Sequence, residues 1–232
     1  MADNHAVQPP PSHLQPVTLQ ATGRVIANFA VQHLKAAALF RDHVVRIEAE
    51  HKGHEFGAFF EEIRSFGSAC IMSSAASLEA LINELFIAHN SKLRSLLPDF
   101  ETAFWGRRGI ETKSILAKYQ LAVSMLGMPK LDEQVSPYRE AWGLVELRNA
   151  LVHYKPTWDP TRQRQVELAE ALDGRFALSP FLDAGADFVS MNCMSAGCSR
   201  WAVATVVAFV SEFDSRTALD AKKIRAFTVA GT

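Results

Sequence analysis

The sequence predicts an all-α protein, and three observations carry that prediction. Apolar residues recur at steps of three and four along two long stretches. Glycine and proline fall at the ends of those stretches rather than within them. Only residues 175–192 show a pattern that suits strands, so any sheet is confined to one small hairpin there.

Residues 1–20, with Pro9, Pro10, Pro11 and Pro16, are too polar and proline-rich to bury a face, and read as a flexible tail. Residues 21–232 read as one helical domain, a length ample for a substantial core. After Gly23 a first helix is expected. Ile26, Ala30, His33, Ala37, Phe40, Val44 and Ile47 share one face, and Gly53 ends or bends it. A second long helix runs from Phe56 to about Leu93. Its stripe holds Ile71, Ala75, Leu78, Ile82, Leu85 and Phe86, and Pro98 follows its end.

Gly106 and Gly109 flank a basic turn, and Glu111 to Leu126 is helical up to Gly127 and Pro129. Ser136-Pro137 reads as an N-cap followed by proline in the first helical position. That helix continues to about Tyr154, where Pro156 stops it. A short helix near 161–172, the hairpin near 175–192, a strong helix over 196–216 and a shorter one to about Phe227 complete the chain. Two long antiparallel helices followed by shorter ones, joined by short connections, make a helical bundle. No period of 20–50 residues repeats, which argues against a solenoid.

Composition excludes several classes of function. Lys and Arg total 24 against 25 Asp and Glu, so net charge names no partner, although a local patch can still meet nucleic acid. The three cysteines, Cys70, Cys193 and Cys198, make no disulfide framework and no zinc set, and fit free thiols in a reducing cytoplasm. The N-terminus lacks a secretory apolar core. The apolar run Trp201–Val210 is far short of the ~20 residues a bilayer requires, and Phe66–His89 carries Glu79, Asn83 and Glu84. A cytoplasmic protein without a membrane segment is the expectation.

The chemically suggestive segment is Arg148-Asn149-Ala150-Leu151-Val152-His153. Projected at about 100° per residue, Leu144, Leu147 and Leu151 form an apolar stripe with Ala141, Val145 and Val152 beside it. Tyr138 and Trp142 extend the arc on its other side, while Arg139, Gly143, Glu146 and Ala150 take the solvent face. Arg148 falls inside the apolar arc, where a guanidinium needs a partner. Glu79 is the first choice and Asn83, four residues on, shares its face; Ala76 and Ala80 allow close helix approach. Such a polar set can equally serve only to fix helix register.

Leu147-Arg148-Asn149-Ala150-Leu151-Val152-His153-Tyr154 resembles the Arg-x(4–6)-His motif of HEPN-domain proteins. Ser74 to Asn83 resembles the Leu-Glu-Ala-x-Ile-Asn pattern on their second helix, and Cys198 to Thr205 a late helix. The resemblance spans roughly 20–216 in outline and is specific over those three stretches. It implies a homodimeric all-α domain, in many members a metal-independent endoribonuclease without cofactor, often a toxin beside an antitoxin partner. Other members are scaffolds or binding modules. Implied roles are His153 moving a proton, Arg148 stabilising the developing phosphorane and Asn149 orienting either partner, with Glu79 and Asn83 in support. Arg148 and His153 are five apart and diverge by about 140° on one helix, so a site shared across a two-fold axis would bring them together.

Arg107, Arg108, Lys113 and Lys118, with Trp105 and Tyr119 nearby, read either as an RNA-contact patch or as an ordinary solvated loop and helix face. His51-Lys52-Gly53-His54 lacks a complementary ligand pair and reads as a surface turn. His33, on an apolar stripe, reads as a core or interface histidine.

Overall fold

A computed structural model describes residues 28–155, 163–183, 185–219 and 221–231. The expected N-terminal tail, the first turns after Gly23 and the stop at Pro156 lie outside these residues. Nine α-helices are described: α1 (Ala30–Glu50), α2 (Phe60–Ile87), α3 (Lys92–Ser95), α4 (Phe100–Trp105), α5 (Ile115–Met125), α6 (Tyr138–Val152), α7 (Gln163–Leu172), α8 (Ala196–Thr217) and α9 (Ala221–Ala230). No strand occurs among the described residues, and the all-α prediction holds.

The two long helices form an antiparallel hairpin. The first N–H of α1, on Ala30, donates to Glu84 Oε1 near the end of α2 at 2.9 Å. At the opposite end, the His51 ring stacks on Phe59 with centroids 4.0 Å apart. Gly53 sits at φ +82 between them, a left-handed turn position that disfavours any side chain. Helix α8 lies against both. The carboxylate of Glu48 at the end of α1 accepts the Ala196 N–H at 2.7 Å, and Ser195 caps the same end by accepting from Cys198 N.

Helix α2 is the central element, packed by α1, α5, α6 and α8. By length and composition it is the one described helix able to cross a membrane, yet just over half of its apolar stretch is buried inside the bundle. The polar residues that interrupt it, Glu79, Asn83 and Glu84, all make contacts with other helices. Helix α5 closes one end: the Tyr119 ring meets Phe209 and Phe213 edge-on at 4.8 and 4.9 Å, and its hydroxyl donates to Leu78 O.

Three local expectations are corrected. Ser136 does not cap α6. Pro137 takes the N-cap position without a side-chain bond, and the first turn closes on backbone oxygens of Val135 and Pro137. The hairpin expected near 175–192 is replaced by turns and a π-helical turn at Phe188–Asn192. Asp187 accepts the Ser190 N–H at 2.7 Å and nucleates that turn, while a single backbone bond, Ser179 N to Asn192 O, links the two sides. Gly143 is buried, not on the solvent face. A Cβ there would lie 2.7 Å from Leu172 Cδ2 and 3.8 Å from Trp201, because α7 and α8 cover that side of α6. Correspondingly Trp142 and Val152, placed on the apolar arc, are 41% and 53% exposed.

Candidate functional site

Helix α6 carries the motif and divides it between two sides. On the α2 side, Arg148 Nη2 lies 3.7 Å from Glu79 Oε2, the partner expected from helical spacing. The other carboxylate oxygen of Glu79 lies 3.6 Å from Lys118 Nζ on α5. That ammonium also donates to Asn83 Oδ1 at 3.0 Å. One carboxylate therefore bridges two cations, and the four side chains tie α2, α5 and α6 together.

Lys118 is only 1% exposed, which corrects its place in the basic surface patch. On α5 it is one turn from Ile115 and from Ala122, both buried, so its stem lies on the apolar face and its charge is met internally. The spacing that placed Arg148 in the apolar arc applies equally to Lys118. Arg107, Arg108 and Lys113 are exposed, as is Trp105. Their loop is shaped by its glycines: a Cβ on Gly106 or Gly109 would come within 2.3 Å of the carbonyl oxygen of Thr102 or Phe104 respectively. These three cations and Trp105 stand apart from the buried Lys118.

On the other side of α6 an open cleft of about 270 Å³ faces α7 and the π-helical turn. Asn149 and His153 line it together, one helical turn apart. His153 is the C-cap residue of α6; its ring is exposed while its N–H donates to Asn149 O. The floor is apolar, from Ala150, Leu168 and Val189. Trp142 and Tyr154 add aromatic surface, and the Tyr154 hydroxyl accepts from Ser190 Oγ at 3.2 Å, tethering the ring to the π-helical turn. Glu146, Lys155, Gln165 and Glu167 supply the polar lining. The Asn149 amide is turned toward Glu146, with Nδ2 3.4 Å from Oε1.

Within one chain, then, Asn149 and His153 share a cleft whereas Arg148 is held on the α2 side by Glu79. Sequence reasoning missed the cleft because α7 and the π-helical turn form two of its walls, and neither resembled anything recognisable. The exposed Trp142, read as core, was the available signal. Among the described residues no cluster of three or more His, Cys, Asp or Glu is placed to hold a metal ion. The three cysteines are free and buried.

No family model, curated protein or solved structure matches this chain.

Proposed function

We propose that this protein is an HEPN-like, metal-independent endoribonuclease acting as a homodimer. One observation carries the reading: an exposed histidine, His153, stands beside Asn149 in an open cleft at the end of the helix bearing the Arg-x4-His motif. In the proposed reaction His153 takes the proton of a ribose 2′-hydroxyl as its oxygen attacks the adjacent phosphorus. The bond from phosphorus to the 5′-oxygen breaks, the leaving oxygen is protonated, and a 2′,3′-cyclic phosphate remains. Asn149 orients the reacting groups.

Stabilising the phosphorane falls to Arg148 of a second copy, since within one chain Arg148 and His153 face opposite sides of α6. Exposed apolar residues beside the Arg148–Glu79 pair favour such pairing. Met72 lies two turns before Glu79 on α2, Val152 one turn after Arg148 on α6, and both are open to solvent.

The test is RNA cleavage by purified protein in the presence of EDTA, with the mass of the dimer checked by light scattering. His153→Ala should remove ~10²–10⁴-fold of the rate while leaving the fold intact. Arg148→Lys should be severely impaired, because an ammonium lacks the bidentate fork. Activity that survives His153→Ala or needs magnesium, or a monomer at micromolar concentration, would defeat the proposal.

A second reading, a helical binding module that keeps the motif for register, is favoured by the Glu79–Arg148 pair itself. A guanidinium engaged with a carboxylate in its own chain serves packing without any chemistry. A folded dimer inactive on every RNA tested would select it.

A further inference from the structure

The cleft beside α6 has a distribution of charge that bears on which part of a nucleotide it can accept. Two carboxylates, Glu146 and Glu167, line it, and Lys155 is the one Lys or Arg among its described lining residues. A phosphate placed in its interior would meet those carboxylates at short range, which is unfavourable. A nucleobase carries no charge, and an exocyclic amino group is a donor that carboxylate oxygens and side-chain amide oxygens accept. The side-chain amides of Asn149 and Gln165 also line the cleft.

The rest of the lining suits the body of a base. Trp142 is 41% exposed and contributes aromatic surface over an apolar floor, the combination on which bases stack. At about 270 Å³ the cleft sits near the lower end of small-molecule sites, roughly 300–1,000 Å³. That is room for a single base and part of its sugar. Lys155 and His153, both exposed and adjoining the end of α6, are placed to meet the backbone that leaves it.

We propose that this cleft is a base subsite that selects nucleotides bearing an exocyclic amino group over uracil. Selection arises from acceptors on Glu167, Glu146 and the two amides. Uracil presents carbonyl oxygens on both sides of its one ring N–H, so a carboxylate that accepts an amino hydrogen from cytosine faces an oxygen instead. The inference rests on the reading of this cleft as the RNA site, and it names the specificity of that site.

The experiment is calorimetric titration of the full chain with AMP, GMP, CMP and UMP. Wild type, Trp142→Ala and Glu167→Gln are compared, each checked for an unchanged thermal melt. CMP and UMP are the decisive pair, being equal in size and differing in the amino and carbonyl group. CMP, AMP and GMP should bind about tenfold or more tightly than UMP. Trp142→Ala should weaken all of them by about tenfold. Glu167→Gln, which introduces an amide donor, should bring UMP close to CMP. Equal binding of CMP and UMP, no binding at millimolar nucleotide, or indifference to Trp142→Ala would overturn the subsite. RNA cleavage without base preference removes the subsite and leaves the ribonuclease standing. Selective nucleotide binding by a protein that cuts no RNA does the reverse.

Discussion

Glu79 is the point where α2, α5 and α6 meet electrostatically, and its replacement by alanine has a calculable effect. Its two oxygens lie 3.6 Å from Lys118 Nζ and 3.7 Å from Arg148 Nη2. At such separations a pair of unit charges attracts by about 1 kcal/mol in water and about 4–5 kcal/mol at an effective dielectric of 20. The side chains of Lys118 and Arg148 are 1% and 26% exposed, and that of Glu79 is 41% exposed. The Arg148 arm therefore belongs near the surface value of about 0–1 kcal/mol. The Lys118 arm is reduced from the buried value by the solvent that reaches Glu79. Glu79→Ala should destabilise by about 2–3 kcal/mol, chiefly because it leaves a buried ammonium with Asn83 as its remaining acceptor.

Lys118→Met should behave differently. It removes the buried charge together with its desolvation cost, and Glu79 can turn to water. The loss is then about 1 kcal/mol for the Asn83 bond, offset by apolar burial. The net change should stay within about 1 kcal/mol of wild type, and the double variant should resemble Lys118→Met alone. Urea unfolding followed by circular dichroism, with m-values compared, measures all three. A Glu79→Ala protein that unfolds at the wild-type midpoint would refute the reasoning, as would Lys118→Met proving the more damaging change.

Other expected outcomes rest on separate features. Gly197→Ala should destabilise by a net of about 1–2 kcal/mol in the same urea assay, despite the helix propensity gained. Its Cβ would lie 2.3 Å from Ala177 O and 2.8 Å from Ala177 N, both backbone atoms. Trp201→Phe should cost about 1–3 kcal/mol, because its indole N–H donates to Glu140 Oε2 at 2.8 Å, and a wild-type midpoint would show that bond to be dispensable. Burial pushes the Cys70 thiol from 9.0 up to about 12 and raises that of Cys198 as well. Neither should be alkylated by iodoacetamide at pH 8 until denaturant is added, and fast labelling of the folded protein would contradict that burial. The same shift makes stability fall as pH rises above 9.0, where the unfolded chain loses thiol protons that the folded chain retains until about pH 12. Cys70→Ala should flatten the fall in urea midpoint between pH 8 and pH 10.

What the sequence determined by itself was the set of helices and one contact between them. Steps of three and four put Leu78, Ile82 and Leu85 on a buried face of α2 and Leu144 and Leu147 on a buried face of α6. The same geometry set Glu79 opposite Arg148, because a charge inside an apolar arc has few places to find its complement. These features depend on positions within one helix or on a single forced pairing, so they can be read locally. The tertiary structure decided which faces of α6 meet water. Gly143 looked like a solvent position until α7 and α8 covered it, and Trp142 looked like core until the cleft left it open. It also decided that Lys118 is a buried cation and that Asn149 and His153 share a cleft from which Arg148 is turned away. Exposure is a property of what packs against a residue. Elements separated along the chain, α5 from α2 and the π-helical turn from α6, supply that packing through contacts that no local periodicity encodes.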